Sequence, residues 1–326
     1  MGIDMVMIAQ AMVDACAVVD EAFMERNGLE PGGAKVVVPE EARKLEAESG
    51  GVSYVSGGSA ANTAATLGRL GKNVAFFGPT GNDAAGIAFH RGMADAGVFC
   101  FHNTVPGGDT GKCLVFVPPC GDRSMVASPG ISGDISETVI PAGLCEQARL
   151  CFCEGFLFSF PKAIAVMQKA AAATRRGDGK VVLSVGAAWC AAANQKEMMD
   201  FVENHADIVL ANEAEVMALL DVPDFGSALA IWQQMGKTVV ITQGSKGAVV
   251  VSGGSIYTIP SQASQVVDTT GAGDSFAAGF LNGLLDGMDV LQAGAWGAAL
   301  AAEVVGHVGA RPKRHPKQVL GIQPGI

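Results

Sequence analysis

The chain has 326 residues, 49% of them hydrophobic and only 17% charged, which supplies a sizeable core and excludes disorder over most of the length. A formal charge of -10 excludes the general attraction to nucleic acid that clustered Lys and Arg would give, but a small anion needs only a few local N–H donors. Eight cysteines without a Cys-x-x-Cys or zinc-spaced His pairs read as reduced core thiols, and the start carries neither a secretion signal nor a myristoylation pattern. No segment reaches transmembrane length without a polar break, so the expectation is a cytoplasmic protein.

In chain order, a first apolar strand leads into Gln10-Ala11-Met12-Val13-Asp14. Residues 13–55, and later 100–128 with the turns Pro106-Gly107-Gly108-Asp109 and Pro118-Pro119-Cys120-Gly121-Asp122, read as hairpin-rich β structure. Elsewhere short β-rich runs alternate with helical patterns: 73–78 then 85–96, and 206–211 then 213–220. Strands are also predicted over 180–185, 238–242 and 248–251, and the apolar run holding Cys151 and Cys153 fits another. This alternation predicts an α/β fold with a doubly wound, mainly parallel sheet, with functional loops at the carboxyl ends of its strands.

The densest motif is Asp268-Thr269-Thr270-Gly271-Ala272-Gly273-Asp274-Ser275-Phe276. Gly271 and Gly273 let successive N–H groups converge, and the helix that follows, marked by Phe276, Phe280 and Leu284 and stopped at Gly287, adds its positive end. A phosphate would be held there with Asp274 beside it as a base. A capped helix behind a glycine turn would explain a lone Gly-x-Gly-Asp equally well, but two acids, two threonines and two glycines are more than a cap requires.

This motif resembles the second signature of the ribokinase, or PfkB-type, family of sugar and nucleoside kinases. The block from Gly57-Gly58-Ser59-Ala60-Ala61-Asn62 to Leu70-Gly71, continuing through Phe77-Gly78-Pro79-Thr80-Gly81-Asn82-Asp83, resembles the first. The resemblance runs from the first strand to Arg311-Pro312 and implies one ribokinase-like domain over residues 1–326. Within it, 13–55 and 100–128 would form a small β-sheet lid hinged at Gly57-Gly58. Read from the residues alone, those segments fit an edge extension of the main sheet equally well.

The resemblance makes Asp274 the catalytic base, with the N–H groups of Gly271, Ala272 and Gly273 as the anion hole. It assigns ATP to Thr242, Gly244 and Gly247 of Thr242-Gln243-Gly244-Ser245-Lys246-Gly247, there being no Walker loop, and magnesium, held through water, to Asn212 and Glu215 of Asn212-Glu213-Ala214-Glu215. Asn-x-x-Glu is equally a capping box. Asp268 and the carbonyls of 309–311 lie where relatives bind a monovalent cation, K+ being the candidate. The Asn common before Gly-Ala-Arg is Ala298 here, which puts one ATP contact in doubt.

For the acceptor, Asp14, Gly57, Gly58 and Asn62 would form a sugar subsite, although Gln10 departs from the Asn of adenosine kinases and Asp14 also fits an ordinary loop acid. Trp189 and Phe156 are candidates to stack on a base, with a core role the bland reading of Phe156. Glu154 and Arg123 are polar residues near this region, Arg123 being a candidate to cover phosphates from the lid. The expected activity is phosphorylation of a nucleoside, adenosine foremost, at its 5′-hydroxyl. A sugar kinase, or a nucleotide sensor without turnover, are the alternatives, in a monomer or homodimer with a small-molecule substrate and no nucleic-acid or membrane partner.

Overall fold

The computed structural model describes residues 2–101, 104–120, 122–136, 140–262 and 265–323. Among these, the main sheet has nine strands in the order Ser255–Ile259, Ala248–Ser252, Thr238–Thr242, Ile208–Asn212, Lys180–Ser184, Ala148–Glu154, Ile3–Ile8, Val74–Phe77 and Phe99–Cys100. Pairing is parallel throughout except where Thr238–Thr242, Ala248–Ser252 and Ser255–Ile259 form an antiparallel edge. The central strands are apolar on both faces because helices cover both. Met5, Met7, Phe152 and Leu210 pack toward the helices Ser59–Leu70, Ala84–Asp95, Ala272–Leu285 and Val290–Val305. Val6, Ile8, Cys151, Cys153 and Val209 pack toward Pro161–Arg176, Gln195–Asn204, Glu213–Leu220 and Phe225–Met235.

A separate small sheet takes Ala34–Val36, Ser124–Ser128, Gly111–Val117, Met12–Val18 and Ser53–Gly57 in that order. The hairpin-rich expectation needs correction here. Asp20 caps a helix at Glu21–Arg26 by accepting from the Phe23 N–H, and Pro39 opens another at Pro39–Glu48; both lie between strands expected to follow one another directly. The helices bury Phe23, Met24, Ala42 and Leu45 against Ala15, Leu114, Phe116 and Val126 of the sheet. The strand Phe99–Cys100 belongs to the main sheet rather than the small one, and His102, Asn103 and Gly121 of the segment 100–128 lie outside the described residues.

All eight cysteines are free, but the core-thiol reading holds only for Cys145, Cys151, Cys153 and Cys190. Cys16 and Cys120 are exposed, and Cys100 and Cys113 are partly so. Alternation explains Cys16: Val13, Ala15 and Ala17 of its strand are buried, the latter two in the small core, turning Asp14, Cys16 and Val18 to the other side. No helix among the described residues is long and apolar enough to cross a membrane.

The helix that begins after the glycine turn is seated by near backbone contact with its neighbour. A Cβ on Gly279 would lie 2.6 Å from the Trp296 carbonyl oxygen, and one on Gly283 would lie 2.8 Å from the Ala293 Cα. Gly279→Val should therefore lower unfolding free energy by about 2–3 kcal/mol in urea titrations, overpacking outweighing the better helix propensity. Gly273→Ala, which has open space around its added methyl, should leave stability within about 0.5 kcal/mol. Equal stabilities for the two variants would refute this account of the packing.

Candidate active site

Four strands of the main sheet deliver polar residues at their carboxyl ends: Glu154, Ser184, Asn212 and Thr242 each close one. Facing them are the N-termini of two helices, Ser59–Leu70 and Ala272–Leu285, each preceded by a glycine at positive φ (Gly58 at 87° and Gly271 at 76°) and neither with a side-chain cap. Gly271 also permits close approach, since a Cβ there would lie 2.0 Å from the Ala310 carbonyl oxygen.

Asp274 occupies the first turn of the second helix and is held by the first. The Ser59 hydroxyl donates to its Oδ1 at 2.6 Å and the Asn62 amide to its Oδ2 at 3.0 Å, while the Thr63 hydroxyl donates to its backbone carbonyl at 3.2 Å. Burial raises the Asp274 pKa, opposed by these side-chain hydrogen bonds and the Arg311 charge. Burial likewise raises Asp14, with Arg311 opposing and Asp274 reinforcing. The Asp14 carboxylate leans on Gly57, where a Cβ would meet its Oδ2 at 2.5 Å, so glycine is required for this carboxylate to lie there. The expected residues Asp14, Gly57, Gly58, Asn62 and Asp274 are thus brought together.

Two adjoining cavities meet at this point, sharing Thr242, Gly273 and Phe276. The smaller, about 140 Å³, is lined by Ser59, Gly186, Asn212, Glu215 and Asp274 among others. The larger, about 530 Å³, lies between the Thr242–Gly247 loop and the two C-terminal helices, with Gly244, Gly247, Ala272, Ala298 and Val305 in its wall. Ala298 therefore stands in this wall, offering an apolar methyl where an Asn was looked for. The exposed Gly273 borders both cavities, whereas the Ala272 N–H is engaged by the Thr269 carbonyl at 3.2 Å.

Asn212 and Glu215 form the full capping box. The Asn212 side chain accepts from the Glu215 N–H at 2.9 Å, and Glu215 accepts from the Asn212 N–H at 3.0 Å and from its amide at 2.6 Å. Burial raises the Glu215 pKa against the Asn212 hydrogen bond. With both oxygens engaged, Glu215 fits a metal ion through bridging water better than by direct ligation, and no group of three metal-ligating side chains occurs among the described residues.

Asp268 is occupied more fully than the sequence suggests. Its Oδ1 accepts from the Thr270 N–H and hydroxyl, and its Oδ2 from the Gly309 N–H at 3.0 Å and Arg123 at 3.3 Å. Burial opposes ionisation, but these donors outweigh it and hold the carboxyl at about 2. Arg123, looked for over the phosphates, is paired with Asp268 in this structure.

Phe156 and Trp189 lie together, ring centroids 5.9 Å apart and tilted by 35°. Phe156 is half-buried beside Gly186, whose added Cβ would touch its ring at 3.0 Å, while Trp189 is 61% exposed. Sequence reasoning gave Glu154 no role. It is 3% exposed and accepts from the Gln10 N–H at 2.7 Å and the Ala60 N–H at 3.2 Å, so it serves as the missing cap of the helix Ser59–Leu70. Its only sequence signal was a carboxylate ending an apolar run. Gln10, in place of the family's Asn, is held by the Ser132 hydroxyl at 2.9 Å.

A parallel sheet whose carboxyl ends face a glycine-cradled helix terminus with a half-buried carboxylate in its first turn defines a ribokinase-like phosphotransferase. The chain belongs to the pfkB family of carbohydrate kinases, matching it over residues 14–317. It is 30% identical over 262 residues to the ribokinase of Haemophilus influenzae, covering 78% of this chain and 82% of that one. It is also 30% identical over 296 residues to the adenosine kinase of Saccharomyces cerevisiae, covering 84% of each. The solved adenosine kinase of Sinorhizobium meliloti superposes with a TM-score of 0.88 over 98% of this chain and 99% of its own, at 30% identity. The chain is therefore a phosphotransferase, a nucleoside or sugar kinase.

Burial lifts Glu154 to about 7 from an ordinary 4.5, against the Gln10 and Ala60 hydrogen bonds, with Asp274 reinforcing. The folded state then binds this proton more tightly than the unfolded chain, so the stability present below pH 4.5 is lost as pH rises to 7, by about 3 kcal/mol. Urea unfolding at several pH values should show that slope in the native protein and a flatter one in Glu154→Gln. Identical slopes would show that Glu154 titrates normally.

Proposed function

We propose that this protein transfers the γ-phosphoryl group of ATP to the 5′-hydroxyl of a nucleoside, adenosine foremost. The observation that carries the choice of acceptor is the Phe156–Trp189 pair, with Trp189 exposed and Phe156 set against Gly186, which lines the cavity that holds Asp274. A nucleobase presents a flat π face that fits such a platform, and base stacking contributes about 1–3 kcal/mol in other systems. A sugar kinase is the second reading, favoured by the small volume beside Asp274 and by the likeness to ribokinase.

In this reading the nucleotide lies in the larger cavity against Thr242, Gly244 and Gly247, its phosphates directed at the turn Gly271–Gly273. Asp14 and Asn62 hold the ribose hydroxyls, and the small sheet acts as a lid hinged at Gly57-Gly58. The acceptor hydroxyl hydrogen-bonds to Asp274 and attacks the γ-phosphorus in line. As the new O–P bond forms, the bond to the β-phosphate oxygen breaks, ADP departs with that electron pair, and Asp274 takes the hydroxyl proton late. The raised pKa of Asp274 makes it a better base than an exposed carboxylate. The backbone of Gly271 and Gly273 and the helix terminus stabilise charge on the transferring group. Magnesium, held through water at Asn212 and Glu215, would neutralise phosphate charge. A monovalent cation at Asp268 and the carbonyls of 309–311 would have to share that carboxylate with Arg123. The cytoplasm, where ATP is abundant and thiols stay reduced, suits the reaction and the free cysteines.

A coupled assay with ATP, magnesium and a panel of adenosine, other nucleosides, ribose, fructose and fructose phosphates tests the acceptor. Adenosine should show the highest kcat/KM, and phosphorylation of sugars alone would overturn the nucleoside reading. Asp274→Asn should lower kcat by about 10²–10⁴ with little change in nucleotide affinity by calorimetry; near-native turnover would remove Asp274 as the base. Trp189→Ala should raise the nucleoside KM by roughly tenfold while leaving any sugar turnover unchanged.

A further inference from the structure

Arg311 reaches the site from the C-terminal segment, far from either signature motif. That segment runs beneath the catalytic turn: the Gly309 N–H donates to Asp268, the Ala310 carbonyl abuts Gly271, and the Arg311 side chain continues to the helix Ser59–Leu70. There its Nε donates to Asn62 Oδ1 at 2.9 Å and its Nη1 to Ser56 Oγ at 2.9 Å. A guanidinium has donors only, so it selects one of the two orientations of the Asn62 amide. The oxygen must face Arg311, which turns the Asn62 Nδ2 toward Asp274 Oδ2 at 3.0 Å. Asn62 is 6% exposed and cannot relieve a wrong orientation through solvent.

We infer that Arg311 is the positioning residue of this site: it sets the Asn62 amide so that Asp274 receives its hydrogen bond, and it is the counter-ion shared by Asp14 and Asp274. The inference rests on Asp274 being the base of the proposed reaction. The groups facing Asp274 come from every element around it. Ser59 and Asn62 belong to one helix and Arg311 to the C-terminal segment, while the carboxylates of Asp14, Glu154 and Glu215 come from the small sheet, a main-sheet strand and the helix Glu213–Leu220. Arg311 is the cation among them. Burial brings its pKa down to about 10, with Asp14 and Asp274 drawing it back, so it remains charged at neutral pH. Without it Asp274 would lose the positive charge that opposes its burial, and the base would hold its proton to higher pH.

The pH dependence of kcat and a ¹³C-carboxyl NMR titration of Asp-labelled protein decide the matter, with Asp274→Asn identifying the resonance. In Arg311→Met the Asp274 titration and the acid limb of kcat should both move up by about one pH unit or more, with kcat at neutral pH down roughly 10–100-fold. Arg311→Lys, which keeps the charge but not the fork, should return the limb to its native position while kcat stays reduced. Should the Met variant fail to fold, Arg311→Gln, which keeps a donor but no charge, should show the same upward titration. An Asp274 resonance that titrates as in the native protein in either uncharged variant overturns the inference. If the native enzyme phosphorylates nothing in the acceptor panel, the kinase reading fails on that result alone, and the NMR titration still reports on Arg311.

Discussion

The site depends on one constraint, that a half-buried carboxylate must be held between two helix N-termini. Asp274 sits in the first turn of its own helix and receives hydrogen bonds from the first turn of another. Neither terminus is capped by its own N-cap side chain, the first being capped from a distance by Glu154, and the positive ends of both helices face the same volume. The arrangement favours negative charge there, while burial disfavours it. The balance leaves an ionisable group raised in pKa yet bound in a fixed orientation. In the proposed reaction an approaching phosphoryl group would meet donors already aimed at it, and reorientation of solvent would be avoided.

Holding two helix ends that close requires backbone approach elsewhere, and glycine supplies it. Gly279 and Gly283 let the catalytic helix lie against Val290–Val305, and Gly271 lets the turn lie against Ala310. Glu154 fixes the other helix by capping Ala60 from the end of a central strand, and the same carboxylate secures Gln10 just before the chain enters the small sheet. One buried acid thereby ties the main sheet, the first-signature helix and the entry to the small sheet together, and it does so in the most desolvated part of the site.

The sequence revealed those parts of the fold whose signals are local. Fully apolar strands such as Val181, Val182 and Leu183 between breakers, and the Phe276, Phe280, Leu284 spacing, specify elements without long-range information. The two helices of the small sheet were also signalled, by Asp20 before Glu21 and by Pro39 before two acids, but Gly28, Pro31-Gly32-Gly33 and Gly50-Gly51 around them resembled a series of hairpins. Among site residues, Asp274, Asn62 and Asp14 lay in motifs whose turn chemistry is visible. Residues 309–311 were legible only through their carbonyls at the candidate cation site; the Arg311 side chain was not, because it meets Asn62 across 249 positions of chain and nothing beside it in sequence marks a side chain that points inward. Glu154 failed for a related reason, since its partners are backbone N–H groups, which every sequence supplies equally.

Chemistry and choice of acceptor occupy different physical regimes in this molecule. The groups around Asp274 are packed, mutually hydrogen-bonded and sensitive to any change in a neighbour. Trp189 makes a ring contact with Phe156 and is largely open to water. An aromatic face contributes most to binding when the ligand and surrounding walls displace that water, so in the proposed function the platform would become effective only as the site fills. Asp14 links the two regimes. It is carried on the small sheet, yet its charge is coupled to Arg311 and Asp274 on the main body. If Asp274 is the base, as proposed, an acceptor hydroxyl that bonds Asp14 would alter the electrostatic setting of that base as well as its own position, and a substrate lacking that hydroxyl would lose rate as well as affinity.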